Sequence, residues 1–162
     1  MKKNNQQLII NWQSYNEPHE LPEQEQALLV AAAEALLKAY APYSHFRVGA
    51  ALLLEDGTII SGANYENAAY PMCLCAERSA IAAAVSTQPG QKIKKIAITV
   101  ANEQKSIDQP AAPCGACRQV MVETELRQEW DMKVILRGQR GSIITVDSAR
   151  ALLPFHFDGS FL

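Results

Sequence analysis

Cys75-Ala76-Glu77-Arg78 and, further on, Pro113-Cys114-Gly115-Ala116-Cys117 are the two stretches around which the rest of the chain reads. Each stands at a helix start. Pro113 occupies a place that a first helical turn tolerates, and Cys114 and Cys117, at i and i+3, share one helical face. Unpaired amides at a helix N-terminus favour thiolate over thiol. A catalytic zinc takes three protein ligands and leaves its fourth tetrahedral position open, so Cys75, Cys114 and Cys117 are a suitable set for Zn²⁺. Glu77 is then the conspicuous extra. A carboxylate two residues from a ligand can take a proton from water at the metal and deliver it elsewhere. Residues two apart on a regular helix do not face each other, so this requires Cys75 to sit on the turn that enters the helix.

The four cysteines admit a second reading. Cys73, Cys75, Cys114 and Cys117 also spell Cys-x-Cys plus Cys-x-x-Cys, a closed structural zinc site in a non-catalytic protein. Against it, Cys73 would have to reach the metal from two residues away, the chain has core enough not to need a metal staple, and Glu77 would have no role. Cys73 is then a spare thiol. Three thiolates outweigh Zn²⁺ by one negative charge, and Arg78 is suited to compensate by donating to a thiolate; its alternative is a surface salt bridge worth little.

Composition narrows the partners. A chain of 162 residues with 48% hydrophobic and 20% charged content fits one globular unit. Net charge is −2 and no lysine or arginine block occurs, which argues against a nucleic acid polymer or an anionic membrane as partner. A small, neutral or weakly charged substrate fits better. The N-terminus leads only into Leu8-Ile9-Ile10 before Asn11, so neither a signal peptide nor a membrane span is expected, and the cytoplasm is the default compartment. Clustered cysteine spacing in a reducing compartment favours metal over disulfide.

Taken in order, residues 1–21 form an N-terminal extension in which Leu8 to Trp12 reads as an edge strand or as packing on a neighbour, and 22–162 form the catalytic domain. Pro22 to Tyr40 predicts a helix with one apolar face; Phe46 to Leu54 and Thr58 to Ala63 predict an antiparallel hairpin about Glu55-Asp56-Gly57. Cys75 to Ser86 is a second, alanine-dense helix, and Lys94 to Ala101 a buried strand whose crossover permits a parallel partner. A third helix over Gly115 to Gln128 points Val120, Met121 and Leu126 inward. Met132 to Leu136 and Ser142 to Val146 predict a further antiparallel pair, and Asp147 caps a final short helix, Ser148 to Leu153. The sum is an α/β chain with a mixed five-stranded sheet, and both cysteine helices follow strands, where open α/β sheets place their sites.

Cys75-Ala76-Glu77-Arg78 with Pro113-Cys114-Gly115-Ala116-Cys117-Arg118-Gln119 resembles the small, homotetrameric, zinc-dependent cytidine deaminases. The similarity runs on through Ala41-Pro42-Tyr43-Ser44-His45-Phe46, Val48-Gly49-Ala50-Ala51-Leu52, Asn64-Tyr65-Glu66-Asn67-Ala68 and Leu152-Leu153-Pro154. It implies a three-layer α/β/α fold, a homotetramer, and hydrolysis of cytidine and 2′-deoxycytidine to uridine and 2′-deoxyuridine with release of ammonia, in pyrimidine salvage. Glu77 is then the proton carrier and Arg78 the charge compensator. Phe46 walls the base, Asn64 and Glu66 bind the ribose 3′-hydroxyl, the Ala76 N–H donates to the base O2, and Phe157 reaches across a subunit interface to stack on the base. From the residues alone, Asn64 and Glu66 are equally a turn, and Phe46 is equally core. Phe155, Phe157 and Phe161 are too many aromatics for a solvated tail and should cover something. His19, His45 and His156 offer no ligand spacing. The rival substrate is another aminopyrimidine nucleoside, such as an antibiotic of the blasticidin type.

Overall fold

The computed structural model describes residues 4–162; the first three residues of the N-terminal segment lie outside them. In chain order the elements are β1 (Trp12–Tyr15), α1 (Glu23–Leu36), β2 (Phe46–Leu54), β3 (Ile59–Ala63), α2 (Ala76–Thr87), β4 (Ile93–Asn102), α3 (Gly115–Gln128), β5 (Lys133–Arg137) and β6 (Ile143–Val146). They build one mixed sheet ordered β1-β6-β5-β4-β2-β3. Every neighbouring pair is antiparallel except β4 and β5, which run parallel because α3 carries the chain back between them.

Period-two alternation divides the core between the two faces of this sheet. Ala50, Leu52 and Leu54 of β2, Ile96 and Ile98 of β4, and Val134 and Leu136 of β5 pack with α2 and α3. The residues between them, Ala51, Leu53, Ala97 and Ile135, pack with Leu28, Leu29 and Ala32 of α1. One helix on one face and two on the other give the expected α/β/α layering. The helices lie close: a Cβ on Gly62 of β3 would stand 2.5 Å from the Ala80 backbone N, so glycine there lets α2 press its first turns onto the sheet.

The sheet has six strands rather than five. The added strand is β1, which pairs Trp12 to Val146 through Tyr15 to Ile143 along the edge of β6. It lies C-terminal to the expected Leu8 to Trp12, and Leu8, Ile9 and Ile10 stay exposed and outside any strand. Three local readings also shift. On α3 the buried apolar residues are Met121 and Val122, while Leu126 is only partly covered, because the inward face descends from Cys117 through Met121 to Glu125 at four-residue steps. The helix expected over Ser148 to Leu153 is a single 3₁₀ turn over Ala149–Leu152, and a further 3₁₀ turn follows at Gly159–Phe161. The cap of the first turn is Ser148, whose side chain accepts from the Arg150 N–H, and not Asp147.

Candidate active site

Two helix N-termini meet at the end of the sheet where β4 gives way to the loop before α3. Cys75 is the N-cap of α2 and Cys114 the N-cap of α3, both with extended backbone, φ −72° and −67°. Cys75 therefore does sit on the entering turn, which frees its thiol from the helix and turns it toward the other two. Cys117, one turn into α3, is completely buried. The Sγ atoms of Cys75 and Cys114 lie 4.0 Å apart, those of Cys114 and Cys117 3.5 Å, and all three fall within 4.8 Å of one another. Zn–S bonds of about 2.3 Å in a tetrahedron set S···S at ~3.8 Å, so the Cys75–Cys114 and Cys114–Cys117 spacings are close to those of a zinc thiolate site. Cys73 does not join them. Its Sγ accepts from the Asn67 N–H at 3.2 Å and faces the Asn67 carbonyl at 3.6 Å, which removes the fourth ligand a closed structural site would need.

The electrostatics of the cluster suit a cation. The Cys75 thiol is held far below its ordinary range, at about 5, first by a hydrogen bond from Cys117 and then by Arg78 and Cys114. Cys117 is pushed upward because it is the donor to Cys75 and is buried, with Glu77 beside it. Arg78 donates to the Cys73 carbonyl at 3.0 Å and to Cys75 Sγ at 3.8 Å, so its guanidinium reaches the sulfur as the charge argument requires.

Glu77 is 4% exposed in the first turn of α2 and borders the same cavity as Cys75 and Cys114. Its close contacts are its own backbone N–H and the Cys117 thiol; burial raises its pKa, and the Cys75 charge adds to the rise. A carboxyl that is neither ion-paired nor saturated can exchange a proton with whatever fills the cavity.

That cavity is about 290 Å³, at the lower end of the ~300–1,000 Å³ common for small-molecule sites. Phe46, Asn64 and Glu66 border it with the cysteines. Val48 and Val100 supply apolar wall that the sequence reading did not name, although Val48 lies on the same strand face as Phe46 and follows from alternation alone. Asn64 and Glu66 are both occupied. Asn64 Oδ1 accepts from the Val48 N–H at 2.7 Å and Nδ2 donates to the Phe46 carbonyl at 3.0 Å, leaving one amide hydrogen for a ligand. Glu66 accepts from the N–H groups of Tyr43 at 3.0 Å and Ser44 at 3.3 Å and from the Ser44 hydroxyl. Burial works to raise its pKa, but these bonds outweigh it and keep Glu66 a carboxylate.

Phe157 is not brought to this cavity. It is 58% exposed and stacks on Phe161 with ring centroids 5.4 Å apart, while Gln119 holds its backbone carbonyl at 2.8 Å. Phe155 is fully exposed and Phe161 70% exposed, so in a single chain the three aromatics of the tail stay largely open to solvent. Ala76 is buried at the start of α2 and is not among the residues that line the cavity.

Residues 22–130 match the family model described as the cytidine and deoxycytidylate deaminase zinc-binding region. A cytidine deaminase of Halalkalibacterium halodurans is 46% identical over 134 residues, which are 82% of this chain and 92% of that protein. One from Sporosarcina psychrophila is 45% identical over 130 residues, covering 80% and 88%. Among solved structures, the cytidine deaminase from Burkholderia pseudomallei superimposes with a TM-score of 0.70 at 44% identity, over 81% of this chain and 97% of that one.

Proposed function

Because the chain belongs to the cytidine and deoxycytidylate deaminase family, we propose that it hydrolyses cytidine and 2′-deoxycytidine, with water, to uridine or 2′-deoxyuridine and ammonia. The observation that carries this reading is the meeting of three thiols at zinc spacing with a buried, unpaired carboxyl on one nucleoside-sized cavity. Cys75, Cys114 and Cys117 would hold the zinc, which when bound supplies Lewis acidity and lowers the pKa of water.

The chain's own groups account for the rest of the chemistry. Glu77 takes one proton from the attacking water and passes it to the ring N3, which makes C4 more electrophilic; once the hydroxyl has added to C4, Glu77 takes that hydroxyl's proton as the C4 carbonyl forms and gives it to the amine as the C4–N bond breaks, so one carboxyl serves both halves of the reaction. Its raised pKa suits a group that must hold and release that proton. Arg78 draws charge from Cys75 and keeps the thiolate set from overwhelming the metal's acidity. The Ala76 N–H, near the start of a helix and free of an intrahelical partner, is the donor to the base O2 in this reading.

Phe46 with Val48 and Val100 gives the flat base an apolar wall. Asn64, through its remaining amide hydrogen, and Glu66, through its carboxylate, engage the 3′-hydroxyl. Both are already fixed by backbone hydrogen bonds, so little order is lost on binding. A site that hydrogen-bonds a hydroxyl rejects analogues without it, so free cytosine is a poor substrate. None of these groups engages the 2′ position, so the deoxynucleoside is accepted beside the ribonucleoside.

The exposed Phe155, Phe157 and Phe161 support assembly into a homotetramer in which a second copy brings Phe157 to the base. Residues 22–162 act as the catalytic domain and 1–21 as its extension. Among the described residues no helix is long and apolar enough to cross a membrane. By its family the protein acts as a pyrimidine-salvage enzyme in the cytoplasm, and its net charge of −2 suits a nucleoside rather than a nucleic acid polymer. The test is zinc per chain together with loss of cytidine absorbance, Glu77→Gln beside wild type. About one zinc per chain with turnover, and zinc without turnover in the variant, is expected. Zinc with no turnover of cytidine or deoxycytidine by wild type overturns the substrate.

A further inference from the structure

A second cavity, of about 240 Å³, lies on the opposite face of the sheet, under α1. Gln26, Leu29 and Ala33 of α1 cover it, and Thr99, Arg137 and Gln139 form its base and side. No aspartate or glutamate borders it. Arg137 ends β5 on the α1 face, four residues along from Lys133. Its Nε is buried without a hydrogen-bond partner, and no ion pair or side-chain hydrogen bond of Arg137 occurs among the described residues.

The other partly buried arginines are all engaged. Arg47 pairs with Glu103 at 2.8 Å; Arg78, whose Nε is also unpartnered, donates to the Cys73 carbonyl; Arg118 donates to the carbonyls of Pro113 and Leu152. On the same strand face as Arg137, Lys95 and Lys133 are answered by the buried Glu25 of α1. A partly buried guanidinium without a counter-charge is costly unless something supplies one. The fork of a guanidinium matches a carboxylate or a phosphate, and Gln26 and Gln139 add amide groups at the same cavity.

We propose that this cavity binds a small anion, the carboxylate or phosphate group of a free small molecule, with Arg137 as its anchor. The site is separate from the catalytic one. Thr99 of β4 faces it, whereas Ile98 and Val100, the neighbours of Thr99, border the catalytic cavity on the other side of the sheet.

The experiment uses the zinc-loaded, full-length protein at fixed ionic strength and titrates inorganic phosphate against chloride, by calorimetry and thermal melting. The expected result is saturable binding with a rise in melting temperature, weakened about tenfold or more in Arg137→Gln and in Ala33→Phe, which fills the mouth while leaving the arginine. Without phosphate, Arg137→Gln melts at or above wild type, since it removes an unpaired charge; an arginine with a purely structural role would melt lower. Phosphate does not raise the KM for cytidine. An equal phosphate effect in wild type and both variants overturns the proposal, as does competition between phosphate and cytidine. A change of oligomeric mass in Arg137→Gln with no phosphate response also overturns it, because the anion would then be a side chain of a second copy. If Arg137→Gln does not fold, Ala33→Phe alone decides.

Discussion

Glu77 and Glu125 are both buried carboxyls on helices that pack on the same face of the sheet, and their surroundings are opposite. Glu125, near the end of α3, accepts from the N–H groups of Met132 at 2.6 Å, Ala149 at 2.8 Å and Arg150 at 2.9 Å, and from the Ser148 hydroxyl at 3.0 Å. Its lone pairs are spent on tying the β5 entrance and the 149–152 turn to the helix. Glu77 has its own N–H, the Cys117 thiol and the charge of Arg78 near it, forms no ion pair among the described residues, and borders a cavity. The fold thus treats one buried acid as mortar and leaves the other free for substrate, and the difference lies in the count of donors, since burial is nearly the same, 2% and 4% exposed.

The sharpest way to break that comparison is Glu77→Gln. Loss of a positioned acid/base group costs about 10²–10⁴ in rate, so turnover should fall by that much while zinc content and melting temperature hold. A variant that lost stability instead would make Glu77 a second structural acid. Glu125→Ala should do the reverse. It strands the buried N–H groups of Met132 and Ala149 at ~1–3 kcal/mol each, so stability should drop on the order of 3 kcal/mol in denaturant melts, with kcat per folded molecule retained. Arg78→Gln probes the site's charge balance. Because partners behind a metal ligand typically carry 10–100-fold in metal affinity or activity, zinc retention or the pH–rate profile should shift by about one to two orders of magnitude. No change in either would reduce Arg78 to its bond with the Cys73 carbonyl.

How far the sequence reaches follows the same division. The hairpin of β2 and β3, the alternation in β4 and β5 and the two cysteine helices were legible because each is written in local pattern: period two, a turn at Asp56-Gly57, and a cysteine or proline at a helix entrance. β1 was not. Trp12–Tyr15 has no strand alternation of its own and is ordered by the free edge of β6, a partner more than a hundred residues away. Glu125 was invisible for a related reason, since an acid within a helix reads as solvent-facing. Its place eight residues after Cys117, on the inward face, was the one available signal. Asn64 and Glu66 were reached through resemblance only, and the structure adds why they are stiff: their side chains already hold the backbone of Phe46, Val48, Tyr43 and Ser44.

Glu25 on the α1 face lies between the two extremes and offers the smallest but most directional test. It is 2% exposed, and its Oε1 accepts from Lys95 at 2.8 Å and Lys133 at 2.9 Å, while Oε2 is buried without a partner. Burial pushes its pKa upward, yet the two lysines together outweigh burial and hold it below the ordinary 4.5. A carboxyl whose folded pKa is depressed contributes stability that is fully present above its unfolded pKa and is lost as pH falls through the folded value. Wild type should therefore hold its stability down to about pH 5 and lose it progressively below. Glu25→Gln should be less stable at pH 7 by about 1–2 kcal/mol, the lysines being partly hydrated already. Below the carboxylate range the two proteins should converge, because protonation has by then done to wild type what the substitution does at every pH. Denaturant midpoints measured from pH 3 to pH 7 check this, and parallel curves with no convergence would mean that Glu25 acts by shape alone, like an amide, and not as the charge that balances two lysines.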